Sequence, residues 1–370
     1  MAGADQVAGA WRLYRFDVTS LVHPGGENVL AVEVPPPGAD DLGITWVDWN
    51  PAPPDKDMGL WRPVYLSATG PVALKYPQVV SNLNLPSLAV AHITVRATVE
   101  NVSSSPTEGI LTGHIGEVEF HQQVHLDAGE TREVTFAPSR FPQLNLDDPR
   151  VWWPVDVGPQ NLYKLDLEFD VGRQLSDRQT IQFGVRQVTS RINEHGDLQF
   201  EVNGKRILIR GGGWAPDMML REDPEKTEIE IRYVRDMHLN AIRLEGKIET
   251  DQFFNLCDRY GILVMAGWCC CDQWEKWEDW KPENYIVAAG SLRDQLLRLR
   301  NHPCVFDWLY GSDKVPPPRV EQMYMKVLRE CRWPNPYQSS SDATPSRLTG
   351  LSGFKGHVDG HWGPYDLDPS

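Results

Sequence analysis

The chain has 370 residues, 41% of them hydrophobic and 24% charged, with a formal net charge of −15. That length and apolar share suffice for two or three domains with cores of their own and exclude a low-complexity or disordered chain. The acid excess argues against nucleic acid or an anionic membrane surface as partner and suits a neutral or cationic one, and no apolar run approaches the roughly 20 residues that cross a bilayer.

No basic n-region with an apolar core opens the chain, so no secretory leader is visible at its start. Residues 1–70 predict short strands at 12–18, 28–34 and 61–68. His23-Pro24-Gly25-Gly26 forms the turn between the first two, and a dense irregular stretch covers 46–55. Residues 71–188 predict strands at 92–100, 110–115, 119–125, 132–136 and 163–171, punctuated by Gly, Pro, Ser and Asn. About a hundred residues of this kind fit an immunoglobulin-like β-sandwich without its disulfide. The triplet Asn101-Val102-Ser103 satisfies the N-glycosylation pattern, which arises often by chance.

From residue 189 to 370 the pattern changes to strand and helix in alternation. Strands are expected at 206–210, 240–244, 262–266 and 305–309, and helices at 224–238, 251–260, 284–301 and 319–331. The last helix sets Val320, Met323, Tyr324, Val327 and Leu328 on one face. Repeated β/α units imply a parallel sheet, with the TIM barrel as leading candidate. A barrel takes eight units in about 250 residues, whereas at most five can be read here, so the barrel is incomplete.

All six cysteines (Cys257, Cys269, Cys270, Cys271, Cys304, Cys331) lie in the last third, at spacings of neither a zinc site nor a small disulfide scaffold. They read as reduced and structural ahead of a local disulfide, with metal binding last. Barrel enzymes work at the C-terminal ends of their strands, and Asp313, just past the strand at 305–309, is there a plausible proton donor. The plainer reading of Asp313 is a loop cap. Asp217 and Glu245 stand on the same rim, where an acid more often pairs with an arginine such as Arg221 or Arg243. Gly211-Gly212-Gly213-Trp214 matches no phosphate-binding fingerprint. The chain carries fourteen tryptophans; Trp268, Trp274, Trp277 and Trp280 gather in one loop, either as ordinary packing or as a wall for a sugar.

Eight stretches, in order along nearly the whole chain, resemble glycoside hydrolase family 2 and within it the exo-β-D-glucosaminidase branch. They are WVDWNPAPPDKDMGL (46–60), VWWP (151–154), FGVR (183–186), IRGGGWAPDMMLR (209–221), LNAIRLE (239–245), AGWCCCDQWE (266–275), NHPCV (301–305) and GSD (311–313). The resemblance implies a partial jelly-roll sandwich over 1–70, an immunoglobulin-like sandwich over 71–188 and the N-terminal part of a TIM-barrel catalytic domain over 189–370. It implies a retaining hydrolase of β-linked glucosamine ends, with no cofactor, no metal, no nucleic acid and no membrane partner. Asp313 becomes the general acid/base, and Asp217, Glu245, Trp268 and Cys269 line the sugar site. Where most of the family has Asn-Glu, this branch and this chain have Ser-Asp. Cys269 is a departure, because the branch carries an acid there. The nucleophile of the family belongs to a seventh strand and no residue here matches its motif, so the chain alone is expected to be inactive. Two other readings stay open: a family 2 β-mannosidase or β-galactosidase, and a non-catalytic carbohydrate-binding or scaffold protein.

Overall fold

Alternating burial along residues 72–183 produces the first unit. In this computed structural model, which describes residues 7–44, 59–217, 219–244, 246–268, 271–342 and 344–350, eight strands form two facing sheets. They are β1 (Val72–Leu83), β2 (Val90–Asn101), β3 (Thr107–Ile115), β4 (Val118–Leu126), β5 (Thr131–Phe136), β6 (Asn145–Asp147), β7 (Tyr163–Val171) and β8 (Gln174–Phe183). One sheet runs β1-β2-β5, with β6 also on β2, and the other β4-β3-β7-β8; every pair is antiparallel. This grouping is that of an immunoglobulin-like sandwich. Along β2 each second side chain (Ala91, Ile93, Val95, Ala97, Val99) enters the core, where it meets Leu111, Phe120, Leu167 and Phe169 of the opposite sheet. The five strands expected from the sequence here coincide with β2–β5 and β7. β1 and β8 were not legible: β1 breaks its alternation at an irregularity between Lys75 and Gln78, with Tyr76 at φ 53.

The three strands expected at 12–18, 28–34 and 61–68 do not form. These residues run as extended chain and turns, without ladder partners among the described residues. A strand is held by the N–H and C=O groups of its neighbour, and no neighbour covers Leu13, Phe16, Val29, Leu30, Tyr65 or Leu66, all of which are exposed. The expected turn is present, with Gly26 N donating to His23 O at 3.1 Å. The segment is tied to the α/β unit by aromatics, by hydrogen bonds and by the ion pairs Arg12–Asp294, Asp40–Lys281 and Arg62–Glu222. Trp11 is buried edge-on to Trp61 (5.0 Å between ring centres), its carbonyl accepts from Gln295 Nε2 (2.8 Å), and Arg12 pairs with Asp294 at 2.9 Å.

Beyond the sandwich, β9 (Val188–Ile192), β10 (Leu198–Val202) and β11 (Lys205–Ile207) make a small antiparallel sheet. The parallel sheet follows in the order β12 (Gly211–Trp214), β13 (Ala241–Leu244), β14 (Leu263–Gly267), β15 (Val305–Leu309), β16 (Tyr337–Gln338). α1 (Pro224–Asp236), α2 (Asp251–Tyr260), α3 (Pro282–Leu299) and α4 (Pro318–Glu330) supply the crossovers. The strand expected at 206–210 is corrected. Asn203-Gly204, both at positive φ, make a two-residue hairpin that folds Lys205–Ile207 back onto β10. The first parallel strand is instead the glycine run itself. A Cβ at Gly211 would sit 2.1 Å from Ala241 O, so this strand pairs with β13 as closely as it does only because it is glycine. The other strands and helices lie within one or two residues of their expected bounds. Helix ends carry ordinary caps: Asp223 accepts from Lys226 N at α1, Thr250 from Phe253 N at α2, and α2 stops at left-handed Gly261.

The sandwich docks on the underside of the parallel sheet through the NHPCV, FGVR and VWWP stretches. Asn301 accepts from Val79 N (2.9 Å) and donates to Pro77 O (2.8 Å), filling the irregularity in β1. Buried Arg186 donates to Pro303 O (2.9 Å), Val305 O (2.8 Å) and Asn335 Oδ1 (2.6 Å), at the foot of β15. Burial lowers its pKa to about 10, which leaves it charged at neutral pH. Trp152 Nε1 donates to Asp258 O (2.9 Å), while Asp258 accepts from Cys304 N (3.0 Å) and pairs with His302 (2.6 Å).

Candidate active site

Strands β12 to β15 run parallel, so their C-terminal ends share one rim. After β15 the chain turns through Tyr310-Gly311-Ser312 to Asp313. Gly311 N donates to Ser339 O at 2.7 Å, and a Cβ there would meet that oxygen at 2.6 Å and Lys314 O at 2.7 Å; the turn closes because glycine leaves room. Ser312 is fully buried. Its carbonyl accepts from Ser341 N and Oγ (2.9 and 3.0 Å), and its hydroxyl accepts from Arg243 Nη2 (3.1 Å) and lies 3.5 Å from Asp313 Oδ1. Arg243 on β13 thus reaches Asp313 through a serine.

A second carboxylate adjoins Asp313. Glu275, in a 3-10 turn of the loop after β14, is largely buried. Its Oε1 accepts from the backbone N–H of Asp313 (3.1 Å) and Lys314 (3.3 Å), and its Oε2 from Cys271 N (3.1 Å). Burial, followed by the charge of Asp313, holds the Glu275 carboxyl above its usual range despite the three amides. The sequence reading quoted Glu275 at the end of AGWCCCDQWE and gave it no role. The sequence offers little to set it apart, since Asp272, Glu278 and Asp279 share the same tryptophan-rich loop.

The other expected residues stand as follows. Asp217 lies three residues past β12 and accepts from Met219 N (2.9 Å) and Arg221 N (3.4 Å), with Arg221 and Lys226 as ion partners at 3.6 and 3.4 Å. Its partial burial raises the carboxyl, but those amides and cations prevail and hold it below its usual range. It therefore faces its own loop and α1. Trp268 is 1% exposed, edge-on to Trp274 (5.5 Å), tilted against Trp308 (5.8 Å), with Nε1 donating to Tyr324 OH (3.3 Å). Its ring belongs to the core, and no open face is left for a pyranose. Trp274 donates to Gly43 O and Trp280 to Gln273 O, which makes this cluster a floor for the N-terminal segment. Glu245 and Cys269 lie outside the described residues, as do most of 46–60.

Among the described residues two groups bring potential ligand atoms within 4.8 Å: Asp258, His302 and Cys304, and Cys271, Glu275 and Asp313. In both, a carboxylate is already engaged by backbone N–H donors. Cys257, Cys304 and Cys331 are free thiols, and burial pushes Cys257 and Cys304 well up, as suits structural cysteines. Asn101 is fully buried and its amide donates to Ser105 O and Asp127 O, so the glycosylation triplet is not presented.

Residues 72–186 match the model of Glycosyl hydrolases family 2. Over those residues the chain is similar to that family. Over its whole length it is 42% identical to an exo-beta-D-glucosaminidase of Streptomyces avermitilis, covering 41% of that protein. It superposes on the crystal structure of the exo-chitosanase CsxA of Amycolatopsis orientalis with a TM-score of 0.88 at 37% identity, over 96% of this chain and 42% of that one. A mannosylglycoprotein endo-beta-mannosidase of Lilium longiflorum is 31% identical over 87% of the chain and 37% of its own length. The chain thus spans about two fifths of the length of the relatives it matches.

Proposed function

We propose that this chain serves a retaining exo-β-D-glucosaminidase that removes glucosamine from the ends of chitosan chains, with Asp313 as general acid/base. The observation that carries the reading is identity to glucosaminidases along the whole chain, joined to a carboxylate at the C-terminal end of β15. In this reading residues 71–188 brace the catalytic unit that begins near residue 189. Asp313 gives its proton to the glycosidic oxygen as the bond breaks, then takes a proton from water in the second step. Ser312, fed by Arg243, keeps a donor beside the Asp313 carboxylate once that proton has left. The second carboxylate that retention requires, about 5–5.5 Å from the acid, is supplied in this reading by a later strand than the five formed here. The net charge of −15 favours a polycationic substrate.

The test is a hybrid in which this chain replaces the matching segment of the Streptomyces avermitilis relative, assayed on glucosaminide, mannoside and galactoside oligomers. Glucosamine release is expected. Asp313→Ala should abolish turnover of substrates with poor leaving groups, with partial rescue of the second step by azide. Near wild-type hydrolysis of chitosan oligomers by Asp313→Ala overturns the assignment, and preferential mannoside cleavage moves the substrate to the β-mannosidase reading.

A further inference from the structure

We infer that Glu275 is the positioning residue of the site: one buried carboxylate clamps the loop after β14 to the loop after β15 and thereby fixes where Asp313 stands. The inference rests on the reading of Asp313 as the acid. Glu275 Oε1 takes the two successive amides of Asp313 and Lys314, and Oε2 takes the amide of Cys271. Both ends of the side chain therefore face N–H donors. Only a carboxylate can satisfy both, because a glutamine would turn an NH2 group toward one of them.

The backbone under the clamp points the same way. Cys271 sits at φ 65, ψ −179 and Asp272 at φ 45, two adjacent non-glycine residues in the region that favours glycine. Such a segment persists only where its surroundings over-determine it. Here the Cys271 amide is pinned by Glu275 Oε2, and the loop is closed again by Trp280 Nε1 donating to Gln273 O at 2.7 Å. Among the described residues these charged and titratable groups adjoin the clamp. Asp313 and Cys271 lie within 4.8 Å of it, Lys314 offers its amide while its side chain is exposed, and Arg243 of β13 stands behind Ser312.

Two variants in the hybrid test the clamp. Glu275→Gln keeps the shape but loses the charge and one acceptor. Its kcat should fall on the order of 10²-fold, as for an ångström-scale misplacement of a reacting group, with KM nearly unchanged. Glu275→Asp keeps the charge but cannot span both loops, so kcat should fall there too. Amide hydrogen exchange at Asp313 and Lys314 should quicken in both variants. The proposal is overturned if both variants keep near wild-type kcat, or if the two amides remain as protected as in the wild type. Should Asp313→Ala retain activity, the acid assignment falls, and the exchange data alone still decide whether Glu275 is the clamp.

Discussion

Asp217 shows how a single residue can carry two uses. Its carboxylate is held ionised by the amides of Met219 and Arg221 and by Lys226, a state fit to receive an ammonium group. The amino group of a sugar would have to compete with the mostly exposed Arg221 and Lys226, a contest that high dielectric makes easy to win. Asp217→Asn in the hybrid should therefore weaken glucosaminide turnover more than glucoside turnover, by about 1–3 kcal/mol for one charge-assisted contact. Equal loss on both substrates would show that Asp217 only shapes its loop. At this scale the sequence named Asp313, because a carboxylate after a barrel strand is a positional signal. Glu275 escaped because its importance lies in accepting backbone amides from another loop, and no spacing encodes that. Trp268 was misjudged for a related reason: a tryptophan after a strand can stack on sugar or on Trp274 and Trp308, and composition does not tell the two apart.

Among the elements, β15 holds the most informative misfit. Asp307 shares its register with Met265 of β14, which in turn pairs with Arg243, yet it is fully buried and burial pushes its carboxyl up to about 7. Between the ordinary value of 3.8 and about 7 the folded protein keeps a proton that the unfolded chain has released. Stability must therefore fall as pH rises through that window and level off above it. Asp307→Asn removes the slope. Relative to wild type it should gain stability between about pH 5 and about pH 8, on the order of a few kcal/mol at most. Urea denaturation at the two pH values checks this, and a difference that does not widen with pH would count against a protonated Asp307. The helices and buried strands of this unit were legible because apolar runs bounded by turn residues leave little choice. The first strand was misplaced because Asn203-Gly204 is a hairpin signal that the reading passed over, and because three glycines carry no β signature.

For the whole molecule, the sandwich and the parallel sheet are joined by polar groups that leave few alternatives. Asn301 completes one N–H and one C=O in the irregular part of β1. Asn301→Ala leaves both unpaired, and should lower unfolding free energy by about 1–3 kcal/mol, read from the denaturation midpoint. A change within about 0.5 kcal/mol, the range of a neutral surface substitution, would mean that water replaces the amide and that the joint is looser than drawn. The two-unit plan was legible from the shift between short strands and strand–helix alternation. The N-terminal segment was not, because its strand propensities need a partner strand to become structure, and propensity cannot tell where that partner is.

Arg186 and Asn335 grip the foot of β15, whereas Asp313, Glu275 and Asp217 belong to the opposite rim. The two ends of one five-residue strand thus answer to different demands. Below, substitutions are judged by whether the sandwich and the parallel sheet still fit; above, by whether the loops around Asp313 keep their shape. The upper loops can be reworked without renegotiating the assembly beneath them. Engineering should follow the same division, grafting loops above β15 and leaving its arginine and asparagine footing untouched.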